Sequence, residues 1–231
     1  MVPPIQPLHS WDLEPAEARR LQEALAGGVD VRSPLGEVRT VAAADVSYDR
    51  HASWLCAAVV VTPLGQEEVI ATSSAVAPAV FPYVPGLLSF REAPAILEAF
   101  ARLQAAPDVL LVDGQGIAHP RRLGLASHLG LWLGIPTIGC AKSRLIGEFE
   151  EPGPRKGDWT PLWDRGEMVG AVVRTRERTK PLFVSPGHLC DLASAVRVVL
   201  AATPRYRLPA PARLAHQRVN ELRRHAANQR G

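Results

Sequence analysis

Residues 107–143 read PDVLLVDGQGIAHPRRLGLASHLGLWLGIPTIGCAKS, and in this stretch two short apolar runs flank a longer segment. The runs 107–116 and 135–143 predict buried strands, because a short apolar run bounded by Gly or Pro is typical of a strand covered on both faces. The segment 124–134 between them predicts a helix that ends near Gly134. Strands joined through a helix pair parallel, with a right-handed crossover. The stretch therefore predicts an α/β fold.

The chain upstream of this unit has the pattern of an antiparallel meander. Three strands are predicted there, over residues 38–48, 54–63 and 67–77. The short breaks DRHAS (49–53) and LGQ (64–66) join them, and strands joined by tight turns pair antiparallel. A helix is predicted before the meander, over 12–27 with Asp12 as its N-cap, and another after it, over 90–103.

The chain downstream adds two strands and two helices. They are predicted over residues 167–176, 181–186, 189–202 and 211–227. Asp191 is the expected N-cap of the first of these helices, and the last helix is basic. No repeat, linker or low-complexity tract interrupts the sequence, so one domain is expected over residues 1–231. The predicted fold class is α/β, with a mixed sheet of an antiparallel meander followed by parallel strands, flanked by helices.

Composition excludes several classes of protein. The chain has 231 residues, of which 47% are hydrophobic and 21% charged, as in a globular domain. It contains no apolar run of roughly 18 residues, so no membrane span is expected. It has no basic start followed by an apolar stretch, so no secretory signal is expected. The cysteines Cys56, Cys140 and Cys190 form no C-x-x-C pair, so the sequence predicts a cytoplasmic protein without a zinc site or disulfide framework.

Charge is distributed unevenly along the chain. Residues 1–118 contain 7 basic and 14 acidic residues, whereas residues 119–231 contain 19 basic and 9 acidic residues. A basic half beside an acidic half suggests a face for a polyanion such as nucleic acid. A solvated Arg-rich surface is the alternative that charge alone leaves open. The sequence has no G-x-x-x-x-G-K-[ST] motif, so a nucleotide cofactor is not expected.

Three carboxylates stand out because of their neighbours. Asp45 lies inside the apolar pattern VAAADVSY, Asp113 ends the run VLLVDG, and Glu92 follows a proline-bounded turn and opens a predicted helix. An acid at the end of an apolar strand costs desolvation energy unless a positive charge neutralises it. Mg²⁺ is a hard cation that prefers oxygen ligands, so two or three such carboxylates could hold it against a phosphate. An Asx turn at Asp113, an ion pair at Asp45 and a helix-start role for Glu92 are the alternatives.

Two further polar residues accompany the acids. His119 lies a few residues beyond Asp113 in GQGIAHPRR, and Lys142 follows a predicted strand in GCAKSRL. A Lys at that position could hold a phosphate oxygen or stabilise an oxyanion as a point charge. A hydrogen-bonded loop histidine and a solvated strand end are the plainer interpretations, and both stay open at this point.

The loop FPYVPG, between the meander and the second predicted helix, has an unusual composition. Pro82 and Pro85 restrict φ on both sides of the loop's tip. Tyr83 and Val84 form that tip, and Gly86 allows the chain to turn sharply. A stiff loop with an aromatic tip can enter a base stack and hold it open. A rigid connector whose Tyr packs on the core is the alternative.

Glycines surround the proposed metal site. The motif GQG at 114–116 and Gly124 place little side chain near Asp113. Because glycine lets backbone amides approach a ligand closely, these amides could read the edge of a purine through hydrogen bonds. A tight turn from strand to loop is the alternative explanation of the same residues.

Taken together, these segments resemble the endonuclease V family. The matching segments occur in the family's order and cover nearly the whole chain from about residue 12. They are AADVSY (43–48), PYVPGLLSFRE (82–92), PDVLLVDGQGIAHPRRLGLASHLG (107–130), IPTIGCAKSRL (135–145), SPGHLCDLASA (185–195) and, more loosely, LPAPARLAH (208–216). The resemblance implies an RNase H-like fold, which agrees with the predicted meander and parallel strands.

The resemblance also implies roles for particular residues. The metal ligands that it implies are Asp45, Glu92, Asp113 and His216. His119 and Lys142 match residues placed at the phosphates and the metal. The implied strand-separating wedge is the loop of Pro82, Tyr83, Val84 and Pro85, with Val where Ile is common. The implied pocket for a flipped base consists of Leu88, Gly114, Gly116, Gly124, Leu125, Gly139 and Leu145.

The reaction and its partners follow from the same resemblance. Family members recognise hypoxanthine (inosine) and hydrolyse the second phosphodiester bond on its 3′ side, leaving 3′-hydroxyl and 5′-phosphate ends. The expected cofactor is Mg²⁺, with Mn²⁺ as a substitute, and the expected partner of the monomer is inosine-containing DNA or RNA. The alternatives are an RNase H-type hydrolase of RNA–DNA hybrids, a non-catalytic nucleic-acid binder and a small-molecule metal hydrolase.

Overall fold

The computed structural model describes residues 5, 7–48 and 53–230 of the chain. Within these residues the helices are α1 (Pro15–Ala26), α2 (Leu88–Ala101), α3 (Leu125–Leu133), α4 (Leu192–Ala201) and α5 (Ala210–Arg230). The strands are β1 (Thr40–Ser47), β2 (Trp54–Pro63), β3 (Ala71–Pro78), β4 (Val109–Val112), β5 (Thr137–Ala141), β6 (Trp159–Asp164), β7 (Glu167–Val173) and β8 (Leu182–His188). The predicted turn at 49–53 lies outside the described residues except for Ser53.

The eight strands of the described residues form one mixed sheet, in the order β3-β2-β1-β4-β5-β8-β7-β6. Strands β1, β2 and β3 pair antiparallel, which confirms the predicted meander. Strand β4 pairs parallel with both β1 and β5, which confirms the predicted parallel segment. Strand β8 pairs antiparallel with β5 and β7, and β6 is the antiparallel edge strand beside β7. The predicted mixed α/β sheet is therefore the one observed.

Helices cover both faces of this sheet. Ala42 and Ala44 of β1 share a core with α2 and α3, while Val41 and Ala43 share a core with α4 and α5. In β4 the even-numbered residues lie on the α2–α3 side and the odd-numbered residues on the α4–α5 side. Because successive strand residues point to opposite faces, a strand covered on both faces is a continuous apolar run. Residues 109–112 are such a run.

Two helix starts illustrate local capping chemistry. Asp191 accepts a hydrogen bond from the Ser194 amide at 2.8 Å, which confirms it as the N-cap of α4. The predicted N-cap Asp12 is wrong, because α1 begins at Pro15 and Glu17 closes its first turn through a capping box. Pro is favourable at that first position because its missing amide hydrogen would have no partner in the helix.

Three other predictions are corrected by the structure. The strand predicted over 67–77 begins only at Ala71. Glu92 does not open a helix but lies in the second turn of α2, which begins at Leu88. The sequence pattern does not predict β6, because Pro161 lies inside it and most of its side chains are not buried. An edge strand tolerates such a Pro, since one of its sides makes no ladder hydrogen bonds.

Helix α5 has 21 residues and packs against the meander. Its Val219 and Ala226 share a buried cluster with Cys56 and Ala58 of β2. The basic helix predicted over 211–227 is thereby confirmed. None of the helices in the part of the chain that the structure describes is long and apolar enough to cross a membrane.

Candidate active site

The carboxyl ends of β1, β4 and β5 carry three charged side chains on one face of the sheet. Strands β1 and β4 are paired up to Ala44 and Val112, so Asp45 and Asp113 come directly after the last pair. Lys142 directly follows β5. Each of the three lies two residues beyond a residue buried under α4 and α5, so strand alternation places them on that face. In open α/β sheets this edge is where ligands bind.

Glu92 reaches the same edge from α2. Burial, together with the negative charges of Asp45 and Asp113, raises the pKa of Glu92 from 4.5 to about 8. The positive charge of Arg91 opposes this shift but does not cancel it. The structure thus brings the three predicted carboxylates close enough for their charges to act on one another. Asp45, Glu92 and Asp113 together form the acidic edge.

Two members of the acidic edge have a nitrogen donor as partner. The Lys142 ammonium donates a hydrogen bond to Asp113 Oδ2. His216 Nδ1 lies 2.7 Å from Asp45 Oδ2, and the Val46 amide donates to Asp45 Oδ1 at 2.9 Å. Burial raises the pKa of Asp45, and the hydrogen bond with His216 opposes that rise. The predicted residues Lys142 and His216 therefore both lie at the acidic edge.

The donor chemistry of the acidic edge fits a hard divalent cation. Mg²⁺ and Mn²⁺ prefer carboxylate oxygens, and the raised pKa of Glu92 reflects like charges that a cation would neutralise. In the described ranges of the chain, no three His, Cys, Asp or Glu side chains are already grouped closely enough to hold one ion. Asp113 is engaged by Lys142 and Asp45 by His216, so joint coordination requires these side chains to reorient.

A cavity of about 410 Å³ opens beside Asp113 and Lys142. The residues of the predicted wedge and base pocket on its wall are Tyr83, Val84, Pro85, Leu88, Gly114, Gly124, Leu125 and Leu145. The other three predicted residues, Pro82, Gly116 and Gly139, belong to the described chain but are not on this wall. A volume of this order is that of a small-ligand site. Its wall is largely apolar, as expected of a site that holds a flat ring.

The loop that carries Tyr83 is anchored at both ends. Phe81 is 1% exposed, and its carbonyl oxygen accepts from Arg91 Nη1 at 2.6 Å. Leu87 is fully buried, and its amide donates to the Val84 carbonyl oxygen at 2.9 Å. Between these anchors Tyr83 is 65% exposed. The ring of Tyr83 is therefore presented to solvent from a fixed backbone and does not pack into the core.

Close backbone contacts explain three of the predicted pocket glycines. A Cβ on Gly139 would lie 2.3 Å from the Gly116 amide nitrogen, and one on Gly124 would lie 2.3 Å from the Gln115 carbonyl oxygen. A Cβ on Gly116 would lie 1.9 Å from the Pro186 carbonyl oxygen. No side chain fits at such distances, so only glycine allows these segments to touch. Their effect is to hold the backbone of the GQG motif in place at the cavity.

The ring of His119 is engaged by loop backbone. Nε2 lies 3.0 Å from the Gly86 carbonyl oxygen, which can only accept, so Nε2 carries the proton. Nδ1 accepts from the Arg121 amide at 3.2 Å. Burial and the charge of Arg121 lower the pKa of His119 to about 4. His119 thus lies on the cavity wall as a neutral ring that ties the Tyr83 loop to the segment after β4.

Sequence patterns do not predict three polar residues at this edge. Arg207 Nη2 lies 3.4 Å from the Lys142 carbonyl oxygen, 65 residues away along the chain. Ser47 and Asn220 are hydrogen-bonded at 3.0 Å across 173 residues. Contacts across such separations leave no local pattern, and the only signal for Asn220 is its place one helical turn after His216.

Known proteins match this chain in both sequence and fold. Residues 23–217 match the family described as Endonuclease V. The endonuclease V of Azotobacter vinelandii is 50% identical over 212 residues, which cover 92% of this chain and 96% of that protein. The crystal structure of the endonuclease V from Streptomyces avermitilis has a TM-score of 0.87 and 41% identity, covering 95% of this chain and 96% of that one. Ciona intestinalis endonuclease V, crystallised with a 24-mer DNA containing an inosine followed by a ribo-adenosine, has a TM-score of 0.81 and 28% identity, covering 91% and 98%.

Proposed function

The chain belongs to the endonuclease V family of nucleases, and from this premise we propose that it nicks nucleic acid next to deaminated purines with the help of a divalent cation. The proposed substrate is DNA that contains hypoxanthine (inosine), with RNA as a further substrate, and the proposed role is DNA repair. The observation that carries the proposal is the position of the acidic edge beside a cavity of about 410 Å³ whose wall includes the exposed Tyr83.

The proposed reaction is hydrolysis of the second phosphodiester bond on the 3′ side of the lesion. A water oxygen bonds to phosphorus, the bond from phosphorus to O3′ breaks, and O3′ takes up a proton. The products are a 3′-hydroxyl on one fragment and a 5′-phosphate on the other. The position of the cut and the nature of the ends are carried over from the resemblance of the motifs to the family.

The acidic edge is the proposed cation site. Endonuclease V enzymes are nucleases that need a divalent metal ion. The side chains that would hold it are Asp45, Glu92 and Asp113, with His216 beside them, and the proposed ion is Mg²⁺ or, as a substitute, Mn²⁺. When bound, such an ion supplies Lewis-acid activation of the phosphodiester and of water. Its charge would also lower the pKa of Glu92, which is about 8 in this structure.

Lys142 is the proposed partner of the scissile phosphate. Its ammonium is exposed apart from the hydrogen bond with Asp113, so a phosphate can compete for it. When a cation takes over Asp113, Lys142 is released to donate to the phosphate or to the leaving O3′. A point charge at a leaving oxygen stabilises the negative charge that develops there.

Tyr83 and the cavity are the proposed elements of lesion recognition. An enzyme that reads one base in a duplex extrudes it from the stack, and the gap must be held open. Tyr83 is exposed on an anchored loop, which supports a role as the wedge. The apolar wall of Leu88, Leu125 and Leu145 supports stacking of a flat base, and the GQG backbone offers amides to its edge.

Three other functions fit the same features less well. A non-catalytic nucleic-acid binder gives no role to the acidic edge, since carboxylates repel phosphates unless a cation intervenes. Cleavage of RNA–DNA hybrids needs no base extrusion, so it leaves the cavity and the exposed Tyr83 unused. A small-molecule metal hydrolase leaves the exposed wedge without a purpose.

A nicking assay with matched oligonucleotides tests the proposal. DNA and RNA strands with one inosine, and the same strands with adenosine or guanosine, are incubated with the protein and Mg²⁺, Mn²⁺ or EDTA. The expected result is a single metal-dependent nick in the inosine strands, with product ends identified by phosphatase and ligase treatment. Equal cleavage of strands without inosine, or nicking that survives EDTA, would overturn the proposal.

A further inference from the structure

Ser47 and Asn220 form hydrogen bonds that lead to the acidic edge but have no role in the function proposed so far. Ser47 lies at the end of β1, and its Oγ is 3.0 Å from Asn220 Oδ1. Asn220 Nδ2 is 2.8 Å from the His216 carbonyl oxygen and 3.1 Å from His216 Nε2. His216 Nδ1 is 2.7 Å from Asp45 Oδ2. The four side chains therefore form one continuous chain of hydrogen bonds.

The carbonyl oxygen of His216 fixes the direction of this chain. A backbone carbonyl can only accept, so the Asn220 atom that faces it must be the amide nitrogen. The same nitrogen faces Nε2 of the His216 ring, so Nε2 accepts and carries no proton. The Asn220 oxygen then faces Ser47, whose hydroxyl donates to it. No choice of amide orientation or hydroxyl position is left open.

The proton of a neutral His216 ring must consequently be on Nδ1. From there it is donated to Asp45 Oδ2, while the Val46 amide donates to Oδ1. Both Asp45 oxygens are thus oriented by a donor, and each keeps a lone pair for a cation. A histidine tautomer is set by the hydrogen bond that its other ring nitrogen makes, and here that bond comes from Asn220.

We propose that Asn220, held by Ser47, is a positioning residue that fixes His216 as its Nδ1–H tautomer, so that His216 orients the carboxylate of Asp45. The proposal rests on the proposed function only for the purpose of that orientation, which is cation binding at the acidic edge. The direction of the hydrogen bonds stands on geometry alone. Partners that orient a ligand in this way contribute to the affinity of a site without touching the ion.

Nitrogen-15 NMR of the His216 ring tests the tautomer directly. The spectrum of the full chain, recorded at mildly alkaline pH where an imidazole is neutral, is expected to show a protonated Nδ1 and an unprotonated Nε2. In Asn220→Asp the side chain can only accept, so the proton is expected to move to Nε2. An Nε2–H ring in the unaltered protein, or an unchanged ring in a folded Asn220→Asp variant, would overturn the proposal.

A second readout links the tautomer to cation binding. The Mg²⁺ concentration for half-maximal nicking is expected to rise by about 10-fold in Asn220→Leu, with a smaller rise in Ser47→Ala that Ser47→Thr restores. Exposed Gln217, next to His216 on α5, supplies the matched control, and Gln217→Ala is expected to change neither readout. An unchanged Mg²⁺ requirement in Asn220→Leu contradicts the positioning role.

The two proposals fail separately. If the ring has the expected tautomer but the protein does not nick inosine strands with any metal, the proposed function is wrong and the assignment of Asn220 stands. If the protein nicks as expected but the ring is the Nε2–H tautomer, the assignment is wrong and the function stands. Should Asn220→Asp fail to fold, Ser47→Ala with its Ser47→Thr control provides the same comparison of tautomers.

Discussion

Two regions of the molecule contain buried titratable groups with opposite outcomes: the acidic edge, and a histidine cluster of His9, Trp11, His128 and Trp132. At the acidic edge, burial raises the pKa of Glu92 to about 8. In the histidine cluster, burial lowers the pKa of His128 to about 3. Burial disfavours the charged form in both regions, so the pKa shifts alone do not say which region is functional.

The hydrogen bonds of the histidine cluster are all satisfied. Trp132 Nε1 donates to His9 Nε2 at 3.2 Å, so His9 Nε2 accepts, and His9 Nδ1 is free to donate to the Ser10 carbonyl oxygen. His128 Nε2 then donates to His9 at 2.7 Å, and His128 Nδ1 accepts from Ser89 at 2.9 Å. Two neutral rings thus complete each other, and the Trp11 and Trp132 rings stack at 4.9 Å.

The acidic edge differs because its groups share one sign of charge. Asp45 and Asp113 raise the pKa of Glu92, and only side chains that can exchange partners, such as the exposed Lys142 and His216, lie against them. A cluster that is complete contributes to stability, whereas a cluster that holds excess charge can bind a counterion. The residual charge, more than the burial, distinguishes a candidate site from a core.

The largest expected effect is the loss of nicking when one acid is removed. Asp45→Asn keeps the shape of the side chain and a hydrogen bond with His216, but removes a charge from the proposed cation site. Nicking of an inosine strand should fall by about 1000-fold or more, with the free energy of unfolding unchanged or raised. Single-turnover nicking rates and urea unfolding measure the two quantities.

Asp108→Asn is the matched control for that variant. Asp108 precedes the amino end of β4, where it accepts from the Arg39 and Thr40 amides. Its loss should reduce stability and leave the nicking rate of the folded protein unchanged. If Asp45→Asn nicked at the normal rate, the distinction between the two regions would be lost.

The second largest effect is on stability and concerns the histidine cluster. His128 is fully buried, and His128→Ala leaves a cavity and removes the partners of Ser89 and His9. We expect the free energy of unfolding to fall by about 3 kcal/mol, which is roughly two orders of magnitude in the folding equilibrium. Nicking by the folded protein should change by less than about 3-fold, far less than for an acidic-edge variant. A loss of nicking that exceeds the loss of folded protein would assign the cluster a catalytic role.

Next in size is the effect of the exposed wedge on binding. Tyr83→Ala should weaken binding of inosine DNA by about 10-fold, since an aromatic stack on a base contributes about 1–3 kcal/mol. Stability should not change, because Tyr83 is 65% exposed. Tyr206, 39% exposed and not on the cavity wall, supplies the control Tyr206→Ala. Fluorescence anisotropy with inosine and control duplexes measures this, and equal affinity of Tyr83→Ala for the inosine duplex would remove the wedge.

The smallest effects are on the pH dependence of stability, and the two regions should show opposite signs. Glu92 binds its proton more tightly in the folded chain, so its contribution is present below pH 4.5 and is lost as the pH rises to about 8. His128 resists protonation in the folded chain, so its contribution is present above pH 6.5 and is lost as the pH falls to about 3. Between pH 6.5 and 8 only the Glu92 contribution changes.

Thermal unfolding of the EDTA-treated protein measures these signs. The midpoint Tm should fall by a few degrees from pH 6.5 to 8, and Glu92→Gln should abolish that fall. Added Mg²⁺ should reverse it, because a cation stabilises the ionised carboxylates. A Tm that rises with pH in the metal-free protein, with no change in Glu92→Gln, would show that Glu92 is not among like charges.

Sequence patterns predicted most of the elements and the location of the acids, for reasons that can be stated. The run before Asp113 is continuous because helices cover both faces of the sheet, and such runs are distinctive. The edge strand β6 was missed because Pro161 and its exposed side chains imitate a loop. Glu92 was placed one turn too early, since the turn FPYVPG ends without a capping residue that marks the start of α2.

The sequence by itself determined the class of fold, the family and the three acids, because those depend on local periodicity and on motifs that are continuous in the chain. Only the tertiary structure decided which side chains meet: Lys142 with Asp113, His216 with Asp45, and Asn220 with Ser47. The physical reason is that partners 29, 171 and 173 residues apart are brought together by strand order and helix packing. No pattern over neighbouring residues contains that information.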